Sequence, residues 1–105
     1  MSKVFKALSD PTRREVLELL RSAPMSAGEI GSHFDFSQPT MSAHLSVLKN
    51  AGLIEGEKVG KQIIYALKMS VLEDAVLGLS KTFGLGLDGK VGTGTRSSAV
   101  KEVKP

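Results

Sequence analysis

With 105 residues, 41% of them hydrophobic and 24% charged, the chain has the balance of one soluble globular domain rather than of a disordered segment or a membrane protein. Its net charge of +3 leans toward polyanions without establishing a nucleic-acid partner, so the placement of the charges must decide. The absence of cysteine excludes disulfides, thiolate metal sites and cysteine redox switching.

No uninterrupted apolar run approaches the roughly eighteen residues needed to cross a bilayer, and "MSKVFKALSD" lacks the apolar core of a signal peptide. We therefore expect a cytoplasmic protein with no membrane partner. Val4, Phe5 and Leu8 form a short apolar patch of one or two helical turns. "LSDPTRREVLELLRSAP" then reads as a helix: Asp10 can cap the free amides, Pro11 suits the first position, Val16, Leu17 and Leu20 form the apolar stripe, and Pro24 lies beyond the end. Arg13 falls in its first turn near Asp10, where a structural role is expected. In "MSAGEIGSHF", Ser26 and Glu29 are spaced as a capping box, Met25 and Ile30 sit at staple positions, and Ala27, Ile30 and Phe34 recur at helical spacing.

A new cap at Ser37 follows only two residues later, with Phe36 and Met41 at staple positions, so the next helix must leave at a sharp angle. Gly52 is a natural stop, with Leu53 placed to touch Leu48. Beyond it the period changes. "LIEGEKVGKQIIYAL" carries β-branched and aromatic residues around Gly60 and Lys61, the pattern of a two-stranded ribbon turning near Val59 to Gln62. Val71 to Phe83 returns to helix, with Leu72, Val76, Leu79 and Phe83 spaced four, three and four apart. We take residues 1–84 as one domain. Residues 85–105, rich in Gly, Ser and Thr, read as a flexible tail.

The helix from Ser37 to Ala51 carries the functional reading. At about 100° per residue, Met41, Leu45 and Leu48 define its buried stripe, and Pro39, Ser42, Ala43, Ser46 and Asn50 face away, with Thr40 beside them and Gln38 at the leading turn. A solvent-facing helix ordinarily gains from Lys and Glu, and this one forgoes them. Small and amide-bearing side chains suit entry into the DNA major groove: Gln pairs with adenine, Ser and Thr reach base edges or phosphates, and Ala or a Thr methyl meets a thymine methyl. We therefore expect Gln38, Pro39, Thr40, Ser42 and Ala43 to read bases. Ser37 and Lys49 are expected to serve phosphates, and His44 to orient the helix through a hydrogen bond or a phosphate. Lys58, Lys61 and Gln62 are expected to reach phosphate or the adjacent minor groove from the ribbon, where Tyr65 adds a contact to the DNA backbone or packs, and the ribbon becomes the wing of a winged helix-turn-helix. Glu55 and Glu57 would have to point elsewhere.

The fold class is thus mainly α with a small β-hairpin wing. Leu72, Val76, Leu79 and Phe83, with Val4, Phe5 and Leu8, would leave much apolar surface on a lone chain. A symmetric dimer would bury it and set two recognition helices about 34 Å apart, one turn of DNA. Binding of an inverted-repeat duplex operator follows. The alternative is a winged-helix protein-interaction module without specific DNA binding. Enzyme chemistry finds no nucleophile beside a base, no paired carboxylates and no phosphate loop. His33 lies one turn after Glu29, but a lone helix histidine is commonly a partly exposed or capping side chain, and we expect neither metal nor cofactor.

"FKALSDPTRREVLELL", "SAGEIGSHF", "SQPTMSAHLSVLKNAGLI" and "GKQIIYAL" resemble, in order, successive segments of the ArsR-type winged-helix repressors of bacteria, over roughly Val4 to Phe83. "VFKALSDPTRR" and "VLEDAV" resemble the SdpR-like, metal-independent branch. The resemblance implies a homodimeric repressor on an operator, with terminal helices at the dimer interface. It also implies base-reading positions at Gln38, Pro39, Ser42 and Ala43, the last of which is often His in the family. The family's thiolate site would need Cys near Gly28 to Gly31. Its site on the last helix would need His, where "SVLEDAVLGLSKTF" has only Glu73 and Asp74. With neither present, any inducer would be a small molecule or a partner protein.

Overall fold

A computed structural model describes residues 2–86, with elements in the order α1 (Ser2–Leu8), α2 (Pro11–Ser22), β1 (Met25–Ser26), α3 (Ala27–Gly31), α4 (Gln38–Asn50), β2 (Ile54–Val59), β3 (Gln62–Leu67) and α5 (Met69–Phe83). Most of the segment read as a tail, from residue 87 onward, lies outside the described residues. The chain divides between Leu72 and Glu73 into two compact units.

In the first unit, local signals fix the helix ends. The Asp10 carboxylate accepts from the amides of Thr12 at 2.7 Å and Arg13 at 3.2 Å, and Pro11 follows it, so α2 starts without an unsatisfied donor at those positions. The capping box of α3 is complete: Ser26 Oγ accepts from the Glu29 amide at 3.1 Å and the Glu29 carboxylate accepts from the Ser26 amide at 2.8 Å. At the end of α4, Gly52 adopts φ 79° while Leu53 N donates to Leu48 O at 3.0 Å and Gly52 N to Lys49 O at 2.9 Å. These are the two bonds of a Schellman stop, and a side chain at residue 52 would strain the left-handed backbone.

The sheet has three strands, not the two the ribbon pattern suggests. The order is β1-β3-β2, all antiparallel, with Met25 opposite Tyr65 and Ser26 opposite Ile64 on the added strand. Two residues carry no detectable period, so β1 left no trace in the alternation. Gly60, at φ 64°, takes the first central position of the two-residue turn between Val59 and Gln62, as right-handed strand twist favours. The core gathers Val16, Leu17 and Leu20 of α2, Ile30 of α3, Met41, Leu45 and Leu48 of α4, and Leu53 and Ile54. Complete burial of Leu48 and Ile30 fixes which side of α3 and α4 faces inward, at about 1.5 to 3 kcal/mol per side chain.

The described part of the second unit is α5 from Glu73 onward, with its close. Gly84, at φ 64°, follows the helix, and Leu85 N donates to Ser80 O at 2.9 Å, again a left-handed glycine stop. Among the described residues no helix is long and apolar enough to cross a membrane.

Candidate nucleic-acid interface

With Met41, Leu45 and Leu48 turned inward, helical geometry leaves Gln38, Pro39, Thr40, Ser42 and Ala43 exposed together on the opposite side of α4. No acidic residue stands in its first turn. Ser37 serves the helix itself. Its hydroxyl donates to Thr40 Oγ1 at 3.0 Å, and its oxygen accepts from the Thr40 amide at 3.3 Å, leaving the Thr40 hydroxyl proton free to donate outward. Pro39 has no amide proton and Met41 N donates to Ser37 O at 3.0 Å. The bare helix end is therefore smaller than the general rule suggests. Among the described residues only the Ser37 and Gln38 amides remain for an anion. Among the described residues no hydrogen bond engages the Gln38 or Ser42 side chain, so both can meet a partner without first breaking a bond.

His44 is half-buried on the flank of α4, where it meets side chains from two other segments. Arg13 Nη1 donates to His44 Nδ1 at 3.3 Å, while Arg13 Nε donates to Ala7 O at 2.8 Å and Nη2 to Lys6 O at 3.0 Å. The neighbouring Arg14 donates to Leu8 O at 2.7 Å. On the turn before α4, Phe34 and Phe36 stack at 5.3 Å, and the Phe36 ring lies 5.8 Å from the His44 imidazole. Phe36, at a staple position before α4, is 38% exposed and lies against that helix.

The wing separates residues that the sequence grouped at its tip. Opposite pairs place Lys58 with Ile63 and Gly56 with Tyr65 on one face, and Gln62 with Val59 and Glu57 with Ile64 on the other. Lys58 and Gln62 therefore point to opposite sides, and Lys61 occupies the turn. Tyr65 is a packing residue along its ring. A Cβ at residue 56 would lie 3.1 Å from Tyr65 Cε1 and 2.7 Å from Ile63 Cγ2, so Gly56 is the gap these side chains fill. Glu55 pairs with Lys68 at 3.5 Å, which takes that carboxylate to the base of the ribbon. Lys49, in the last turn of α4, and Lys58 and Lys61 are exposed. Slight burial pulls the Asp10 carboxyl upward, but the hydrogen bonds from the Arg13 and Thr12 amides, with the nearby Arg13 guanidinium, outweigh it and hold Asp10 below its ordinary range.

The residues expected at a dimer interface fall into two groups. Phe5 is exposed, Leu8 and Leu72 are half-buried, and Val76, Leu79 and Phe83 on α5 are 39%, 37% and 68% exposed. Val4 departs from the expectation. At 7% exposure it belongs to the chain's own core, because the inward side of α1 carries Val4 and Ala7 at helical spacing, and almost none of its side chain is left for a second copy. Among the described residues no group of three His, Asp or Glu side chains is placed to hold a metal ion. The Glu29 carboxylate, one turn from His33, is engaged by its capping box.

The family profile described as "Bacterial regulatory protein, arsR family" matches residues 10–56, which span α2 to the start of the wing. The transcriptional repressor SdpR of Bacillus subtilis (strain 168) is 47% identical over 76 residues, which cover 72% of this chain and 84% of SdpR. A crystal structure of an ArsR family transcriptional regulator superposes with a TM-score of 0.73 at 30% identity, covering 80% of this chain and 92% of the other. The solution structure of a homodimeric winged helix-turn-helix DNA-binding domain from Mycobacterium bovis, described as a possible ArsR-family regulator, superposes with a TM-score of 0.64 at 26% identity and covers 80% of each chain.

Proposed function

The chain belongs to the arsR family of bacterial regulatory proteins, and from that premise we propose that it is a DNA-binding repressor that seats the leading turns of α4 in the major groove of an inverted-repeat operator, two chains at a time. It is a regulator and not an enzyme. It acts in the cytoplasm, where bacterial DNA lies.

The observation that carries the reading is the outward face of α4: exposed, free of charge from Gln38 to Ser46, and carrying amide and hydroxyl groups with no protein partner at Gln38 and Ser42. A groove lined by phosphates repels carboxylates and excludes bulk, and base edges reward donors and acceptors that arrive unpaired. Gln38, Thr40 and Ser42 supply hydrogen bonds to bases, and Pro39 and Ala43 supply apolar contact. Lys49, Lys58 and Lys61 neutralise phosphates around the groove and contribute affinity without sequence preference.

Dimerisation follows from Val76, Leu79 and Phe83, three apolar side chains exposed along one stripe of α5, and from Phe5 on α1. A two-fold pair presents α4 twice, so the operator should repeat in inverted order with half-sites one helical turn apart, about 34 Å. Selection from a random duplex pool with the purified protein tests this. An inverted repeat is expected, with log affinity falling against log salt by about 0.9 for each phosphate neutralised. Enrichment of no sequence, together with a flat salt response, would overturn the assignment and leave α4 as a protein-binding surface.

A further inference from the structure

We propose that Arg13 is a positioning residue for operator reading: through His44 it ties the recognition helix α4 to the C-terminal end of α1. The proposal rests on α4 being the reading helix. It concerns how that helix is aimed, which neither exposure nor family membership specifies.

Three features converge on the guanidinium. First, its root is fixed, because the Arg13 amide donates to the Asp10 cap at 3.2 Å and so sits in an ordered first turn of α2. Second, Nε and Nη2 donate to Ala7 O at 2.8 Å and Lys6 O at 3.0 Å, two carbonyls at the end of α1, of which Lys6 O also accepts from Ser9 N and Ser9 Oγ. Ala7 is fully buried, so the α1 end of this link cannot drift in solvent. Third, Nη1 reaches His44 Nδ1 at 3.3 Å, a contact across thirty-one positions of sequence. One rigid planar group thus joins α1, α2 and α4, a task the single ammonium of lysine cannot perform.

The chemistry of this contact fixes the histidine. A guanidinium only donates, so Nδ1 must accept and the imidazole proton must reside on Nε2. On its other side the ring meets Phe36, which is stacked on Phe34. His44 immediately follows Ala43 and is two positions from Ser42, so a shift of this side chain rotates the very face that meets bases. Arg13 acts on DNA only through that rotation. It should therefore alter discrimination between sequences while leaving general attraction to phosphates as it was.

Nitrogen NMR of the imidazole in the wild-type chain without DNA tests the link by itself. His44 is expected as the Nε2-protonated tautomer at neutral pH, and a proton on Nδ1 would overturn the proposal whether or not the protein binds any duplex. On the selected operator, Arg13→Lys should weaken binding about tenfold, the scale of one hydrogen bond to a charged group, with random-duplex affinity and salt slope unchanged. His44→Leu should do the same, and His44→Asn, whose side-chain oxygen can accept from Arg13, should restore most of the loss. Combining Arg13→Lys with His44→Leu should cost little more than either alone. Additive losses, or equal losses on operator and random DNA, would show that Arg13 merely stabilises α1.

Discussion

α4 and α5 each leave one helical face uncovered, and they leave different chemistry there. α4 exposes Gln38, Pro39, Thr40, Ser42, Ala43 and Ser46, small and uncharged, while α5 exposes Val76, Leu79 and Phe83. α2 provides the reference, since its outer side carries Arg14, Glu15, Glu18 and Arg21, the mixed charge that water alone rewards. The two departures from that reference point to two kinds of partner. An apolar stripe suits a partner that stays, because its exposure to water is unfavourable at all times. A neutral polar face suits a partner that comes and goes, because it is equally at ease hydrated or paired with base edges.

The largest expected effect comes from charging the apolar face. Val76→Lys with Leu79→Lys should leave a folded chain by circular dichroism that sediments as a monomer, and should lower operator affinity by on the order of a thousandfold through loss of the second half-site. A dimer that survives both changes would show that the exposed stripe of α5 serves some other partner. Next in size is Gln38→Ala, which should cost about 1 to 3 kcal/mol on the selected operator and relax preference at one base pair, read by repeating the selection with the variant. A loss equal on all sequences would remove Gln38 from base reading. Lys61→Ala should do the opposite, lowering affinity for every duplex alike and reducing the salt slope by about 1.

Legibility in the sequence followed the range of the interaction. Asp10, Ser26, Ser37 and Gly52 announce the helix ends because each cap is decided within a few residues, and the burial side of α4 follows from Met41, Leu45 and Leu48 alone. What escaped depends on distant residues. β1 exists because Met25 and Ser26 find Tyr65 and Ile64, forty and thirty-eight positions away, and two residues carry no pattern of their own. Lys58 and Gln62 look like one cluster in sequence and separate because strand pairing assigns them to opposite faces. Arg13 was legible as a structural residue near Asp10, yet its reach to His44 across the fold was not. Val4 looked like interface because α1 is apolar, and only packing reveals which of Val4 and Phe5 turns inward.

The smallest expected effect separates capping from charge at Asp10, the residue that orders the first turn from which Arg13 extends. The carboxylate accepts from the Thr12 and Arg13 amides and its pKa is held below the ordinary value. A group whose pKa is lower folded than unfolded binds its proton more readily in the unfolded chain. Its stabilisation is therefore complete above the unfolded carboxylate range and disappears as pH falls through the native value. Asp10→Asn keeps a capping oxygen but cannot titrate. Urea unfolding of both proteins across the acid range should show the wild type modestly more stable near neutrality, with the gap closing as Asp10 takes up its proton. A gap independent of pH would mean that the charge on Asp10 adds nothing to the cap, and that α2 is started by hydrogen-bond geometry alone.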